Sequence, residues 1–231
     1  MKFLVIFLVV TTLNPPLQDK MKTYQVQKIS QDLVIDGEGH DPLWESANEL
    51  TDFSYPWQDG TPSMTSFKAL HSETWLYCLF TVSDSAVKVF VKDNHKREAV
   101  RSDRAEIFFM ADSSMSPYYC LEIDPLARVF DCKGEFYRKL DTSWSWPEGQ
   151  LVVMSHRNEN GYTIEIAISK NSLTELRLLN NNELTAGLYR ADCIALVNDH
   201  ATFRWISWVK PDSDKPDFHI PSSFGKMILS K

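Results

Sequence analysis

From residue 30 onward the chain alternates apolar and polar positions with a period of two and breaks at turn residues, the pattern of half-buried strands. Leu33-Val34-Ile35 ends at the turn Asp36-Gly37-Glu38-Gly39. Strands are predicted over Ser63 to Ala69, Thr74 to Val82 (TWLYCLFTV), Val87 to Val91 and Ala105 to Met110. Tyr118 to Asp124 and Val129 to Cys132 read as a hairpin about Asp124-Pro125. Leu151 to His156 and Gly161 to Ile168 read as a second, about Asn158-Glu159-Asn160. Leu188 to Val197, Thr202 to Val209 and Lys226 to Leu229 complete the series. Helical signals are few. One or two turns are expected within Asp41 to Leu50, and a short helix within Ser169 to Leu179, capped by Ser169. Many short strands with little helix predict an all-β, antiparallel β-sandwich of jelly-roll or immunoglobulin-like form.

Composition narrows the function. The 231 residues are 43% hydrophobic, enough for one sizeable core, so residues 21–231 are expected to form a single domain. The formal net charge of −7 argues against a nucleic-acid partner. The one basic cluster, Lys92 to Arg101, is interrupted by Asp93 and Glu98 and reads as a solvated loop. At the amino end, Lys2 precedes an apolar run from Phe3 to Val10 that Asn14-Pro15-Pro16 breaks. It is too short to span a bilayer and has the form of a secretory signal, with no small-x-small cleavage site after it. Two readings stay open: residues 1–20 are a signal and the protein is exported, to a periplasm or beyond the cell, or Met21 is the true start and the protein is cytoplasmic.

The four cysteines lack CxxC spacing, which removes the usual zinc frame. Cys120 and Cys132 lie symmetrically about the predicted hairpin turn. They are read as facing buried thiols, with a disulfide as the alternative. The six histidines form no HxH or HExxH pair, GxSxG is absent, and no glycine-rich phosphate loop is present. Glu106, Glu122 and Glu165 fall on predicted strands and could in principle make a glycosidase pair, but carboxylates also accept hydrogen bonds from sugar hydroxyls without catalysis.

Seven tryptophans are many for this length. Trp44 and Trp75 read as core. Trp57 lies in the turn-like Tyr55-Pro56-Trp57-Gln58-Asp59-Gly60, and Trp144 and Trp146 precede Pro147-Glu148-Gly149. Loop tryptophans beside polar residues suit sugar rings, whose C–H faces stack on aromatic planes. For Trp144 and Trp146 the other reading, a cover over a sheet edge, stays open.

The order of segments resembles the family 9 carbohydrate-binding modules and their DOMON-like relatives. Val34-Ile35-Asp36-Gly37 with Pro42-Leu43-Trp44 is similar to their "IDG…W" opening. TWLYCLFTV is similar to the "LY" strand, Asp103 to Phe109 (DRAEIFF) to D-x-x-E-I-F, and Tyr119 to Asp124 follows as in the family. Gly161 to Ile168, with Glu165, resembles the "GY…E" strand. Ile206-Ser207-Trp208, Phe218-His219-Ile220-Pro221 and Phe224-Gly225 resemble its end. The likeness runs over about residues 32 to 230.

The resemblance implies a non-catalytic, glycan-binding sandwich, often joined to or encoded near a polysaccharide-degrading enzyme and supported by calcium. It implies a sugar clamped between two aromatic residues. The second falls on Phe218, which can stack, and the first near Val100, which cannot. Glu106 takes the place of a glutamate that hydrogen-bonds sugar hydroxyls, and an arginine of the next strand falls near Cys120 and is missing. Trp57, Trp144 and Trp146 are candidates for the lost wall. Arg190, Trp208 and His219 are further candidates from the carboxyl-terminal strands; for Trp208, core packing is the competing reading. Asp103 either joins the site or orients a loop. Two other functions are carried alongside: a haem-binding electron-transfer domain using Met110, Met154 or His219, and a structural module whose sugar site has been lost.

Overall fold

Thirteen strands and four short helices make up residues 21–231, the part that the computed structural model describes. The predicted signal in residues 1–20 lies outside the described residues. The first sheet runs β8 (Lys139–Asp141), β7 (Val129–Glu135), β6 (Tyr118–Ile123), β5 (Arg104–Met110), β11 (Glu183–Val197), β13 (Gly225–Leu229) and β1 (Thr23–Lys28). Its other strand, β12 (His200–Ser207), pairs with the second half of β11. The second sheet continues from β1 through β3 (Thr65–His71), β4 (Trp75–Ser83), β10 (Gly161–Ser169) and β9 (Leu151–Asn158), with β2 (Glu49–Leu50) also on β3. Pairing is antiparallel except at β1, which runs parallel to both β13 and β3 and so belongs to both sheets.

Alternation divides each strand between two environments. The central core lies between the sheets, with Phe67, Phe80, Ile164 and Ile166 facing Ile107, Phe109, Leu121 and Leu188. Each outer face is then covered in turn. Over the second sheet, Leu33 and Trp44 close on Tyr77, Leu79 and Ala167. Over the first, Phe218 and Phe224 close on Phe108, Tyr118 and Tyr189. Strands β5 and β6 are therefore buried on both faces.

The single α-helix among the described residues, α1 (Lys170–Glu175), starts where Ser169 accepts from the Asn171 amide at 3.2 Å, as the cap predicts. A 3₁₀ turn at Pro42–Ser46 is capped by Asp41 and buries Trp44. Three expectations are corrected. Leu33–Ile35 is irregular, with Val34 82% exposed. Val87–Val91 is extended but pairs with no strand; its amides bond to side chains, Lys88 to Asp103 and Phe90 to Ser102. The basic cluster is solvated at Lys92, Arg97 and Arg101, but only its first part is a loop. Lys96–Arg101 forms a 3₁₀ turn held down by buried Glu98, which accepts from the Lys92 and Asp93 amides and pairs with Arg128 at 2.8 Å. Cys120 and Cys132 stand opposite in register as free thiols. Among the described residues no helix is long and apolar enough to cross a membrane.

Candidate functional site

The outer face of the first sheet carries a cavity of about 220 Å³. Its floor follows from strand alternation. Arg104, Glu106 and Phe108 share the outer face of β5, and register sets Glu122 of β6 opposite Glu106. Trp205 reaches in from β12, and Val100 adds an aliphatic wall. The segment after β12 supplies Asp217, Phe218 and His219, the loop before β3 supplies Trp57, and the β7–β8 hairpin supplies Arg138 and Leu140.

Phe218 is fixed by a stack on Tyr189, with centroids 4.0 Å apart and planes 10° apart. That platform depends on Gly187, where a Cβ atom would stand 1.8 Å from the Tyr189 hydroxyl. Trp57 tilts toward Phe218 at 5.3 Å and is anchored by donation from Nε1 to the Ser213 carbonyl at 2.8 Å. Trp205 meets Phe218 edge-on at 5.8 Å. The guanidinium of Arg104 lies over the rings of Phe203 and Trp205, 4.9 and 5.5 Å from their centroids.

The charges below these rings are unevenly paired. Arg104 Nε donates to Glu122 Oε2 at 2.7 Å, and Glu106 Oε1 stands 2.8 Å from the same nitrogen. Nε carries one proton, aimed at Glu122, so Glu106 gains Coulomb attraction without a hydrogen bond. Its Oε1 is buried with no donor among the described residues. Burial raises the Glu106 carboxyl above the ordinary carboxylate range; Arg104 offsets part of that, and Glu122 adds to it. His219 is held neutral. Burial, with help from Arg138 and against the pull of Asp217, lowers it to about 4. Its Nδ1 shares a hydrogen bond with the Tyr118 hydroxyl at 2.9 Å. Asp217 ties the rim together, accepting from Arg138 at 3.1 Å, the His219 amide at 2.9 Å and the Tyr137 hydroxyl. The result is an aromatic-walled recess with an unused acceptor at its base. At about 220 Å³ it is smaller than the roughly 300–1,000 Å³ of drug-sized sites, a scale suited to one ring.

Of the residues singled out in the sequence, Glu106, Phe218, Trp57 and His219 come together here. The others do not. Trp208 is in the central core, and so is Trp146, whose Nε1 donates to Ser172 at 3.0 Å. Trp144 packs on Tyr119 at 4.9 Å beside it, covering rather than lining. Arg190 points to the opposite face of β11 from Tyr189, where it is wholly buried against Asp84 at 3.0 Å and Asp192 at 3.6 Å. Asp103 belongs to that same cluster and ties the Lys88 loop to strand β11 by accepting from the Lys88 and Cys193 amides at 2.6 and 2.7 Å. The haem candidates are divided: Met110 is buried under the cavity's face, while Met154 pairs with Glu165 in the other sheet. Glu122, named in the sequence only as one of three strand carboxylates, also lines the cavity, and its place there needed strand register. Arg104, Trp205 and Arg138 were missed. Two-residue spacing from Glu106 marks Arg104; the other two needed strand pairing and loop closure.

Asp84, Asp103 and Asp192 are the one carboxylate cluster among the described residues whose atoms approach closely enough to share a cation. Their oxygens are already committed. Arg190 lies against two of them, Arg204 donates to Asp192 at 2.6–2.8 Å, and both Asp103 oxygens hold amides. Calcium takes six to eight oxygen ligands. The donor set does not fit it, because a buried guanidinium already supplies the positive charge.

The model of a family described as carbohydrate family 9 binding domain-like matches residues 35–231. The chain belongs to that family. A candidate carbohydrate-binding protein from Bacteroides uniformis superposes with a TM-score of 0.71 at 16% identity, covering 91% of this chain and all of that one. A family 9 module from Caldicellulosiruptor kristjanssonii in complex with glucose gives 0.59 at 18% identity, covering 90% and 96%. The module from that organism in complex with cellotriose gives 0.58 at 17%, covering 90% and 93%. These likenesses show the fold. No curated protein sequence matches the chain. Within the family frame, the motif glutamate Glu106 and the aromatic Phe218 meet at the cavity, with Val100 beside them.

Proposed function

We propose that this protein binds a carbohydrate in the cavity over Glu106 and does not transform it. The observation that carries the reading is the meeting of the Glu106 carboxyl with Phe218, Trp57 and Trp205 in one cavity: a carboxyl suits sugar hydroxyls, and the aromatic faces suit a C–H surface. The related modules bound to glucose and cellotriose support the same class of ligand. Phe218 serves as one stacking face, and Trp57 with Trp205 replaces the wall that Val100 cannot form. Against hydrolysis stands the sharing of one guanidinium nitrogen by Glu106 and Glu122, which pins both as binding groups. Glu165 has no access to them from the other sheet. An enzyme that degrades polysaccharides as a partner, and export directed by residues 1–20, complete the proposal.

A glycan array followed by calorimetry tests it, with Phe218→Ala and Glu106→Ala alongside. Saturable binding that each substitution weakens at least tenfold is expected. Failure of the folded protein to retain any glycan would overturn the reading.

A further inference from the structure

We infer that the ligand is an oligosaccharide of at least two residues, its second ring seated in a separate recess beside the first. This rests on the carbohydrate reading and deepens it. The second recess, of about 250 Å³, is lined by Trp57, Gln58, Phe203, Trp205, Asp214 and Pro216. Trp57, Trp205 and Pro216 border both recesses, and each space is on the scale of one ring. The rings of Trp57, Phe203 and Trp205 are all partly exposed. Gathered at one place, they form an apolar patch of the kind that marks a ligand site, and a sugar confined to the first cavity would leave much of it in water.

Strand alternation builds this recess. Phe203 and Trp205 stand two residues apart on β12 and so share one face, with ring centroids 5.2 Å apart and planes 39° apart. Register makes it the face of Arg104, because Ala191 of β11 pairs with Trp205 on one side and with Arg104 on the other. The small methyl group in the middle of that row lets the Arg104 guanidinium reach both rings. The side chain that pairs with Glu122 at the base of the first recess thus also holds two rings of the second. Trp57 is fixed by its bond to the Ser213 carbonyl. Ser213 Oγ in turn donates to the Lys215 carbonyl at 3.0 Å, within the same loop that presents Asp214 and Pro216. Gln58 and Asp214 are exposed, and their amide and carboxylate suit sugar hydroxyls while the rings suit C–H faces. The chemistry of the first recess is therefore repeated beside it by different residues.

Calorimetry on the purified protein compares glucose, mannose, galactose and xylose with their homodisaccharides in α and β linkage. At least one disaccharide is expected to bind about tenfold or more tighter than its monosaccharide. Gln58→Ala combined with Asp214→Ala should cut that ratio about threefold, and Phe203→Ala should bring it close to one. The ratio is the quantity to read, because a folding defect would weaken both ligands together. Gln58 and Asp214 are exposed, so the paired substitution removes no core packing even if Phe203→Ala fails to fold. Equal binding of monosaccharides and disaccharides would overturn this inference and leave the carbohydrate reading standing. A disaccharide gain that no variant reduces would do the same, since the second ring would then lie elsewhere. Absence of binding by every sugar would overturn both.

Discussion

Each outer face of the sandwich buries glutamate under a covering segment, Glu165 on one and Glu106 beside Glu122 on the other, and the two faces treat it differently. On the second sheet, Glu165 Oε2 accepts from the Asp36 and Gly37 amides at 2.9 and 2.6 Å, and Oε1 accepts from Trp44 Nε1 at 2.8 Å. Gly37 adopts φ +90°, and a Cβ there would come within 2.7 Å of the Ser155 backbone, so only glycine brings its amide this close. The Ile35-Asp36-Gly37 and Trp44 elements are thus a receptor for Glu165, and they fasten the amino-terminal segment to the sandwich. On the first sheet, Glu106 receives no hydrogen bond on Oε1 and shares its arginine with Glu122. One covering segment completes its glutamate with three hydrogen bonds; the other roofs its glutamate with aromatic rings over a cavity. Glu165, complete within the fold, fastens a segment to it, whereas Glu106 lies at the base of a cavity, where a ligand is expected.

The largest test breaks the satisfied side. Glu165→Leu leaves two buried donors and one part-buried donor without an acceptor and should cost about 4 kcal/mol of stability, at roughly 1–3 kcal/mol for each buried one. Urea denaturation would read it, and ligand binding by the fraction still folded should be unchanged. Next comes pH. Folded His219 resists a proton that the unfolded chain accepts, so its contribution is intact above its ordinary value of 6.5 and drains away as pH falls toward about 4. The loss is on the order of 3 kcal/mol, and His219→Gln should flatten that part of the stability–pH curve. An effect of opposite sign belongs to Glu106. Its raised carboxyl makes ionisation costly in the fold, so stability declines as pH rises past the ordinary carboxylate value. Glu106→Gln should therefore gain about 1–2 kcal/mol near neutral pH while losing ligand affinity. Last, because Arg190 serves where a metal would, EDTA or added calcium should leave Tm within about 1 °C in differential scanning calorimetry.

Much of the sandwich was legible because β3 to β7 and β9 to β13 alternate in apolar and polar residues or read as continuous apolar runs. The failures share a cause. Val87–Val91 has the residues of a strand, yet its amides are taken by Ser102 and Asp103, so local pattern reported extension but not pairing. Thr23–Lys28, with two buried apolar positions, was too weak a pattern to mark β1. At the site, Glu106 and Phe218 were legible through motif order. Trp57 stood out by its turn context, whereas Trp144 and Trp146, in an equally loop-like setting, turned inward onto Tyr119 and Phe109. Nothing local separates those cases. The contribution of Glu122 depends on register with Glu106, and that of Arg138 on a hairpin whose second strand spans three residues.

Strand β1 has a consequence for how the molecule assembles. It pairs Thr23 with Lys226 and Lys28 with His71, so one short strand bridges the two sheets through partners separated by most of the chain's length. Loop-closure entropy for such a contact must be met before the contact returns anything, which slows folding. During synthesis β1 emerges early and waits for β13, its edge unpaired on that side. The joint between the sheets therefore closes only after the final strand has left the ribosome.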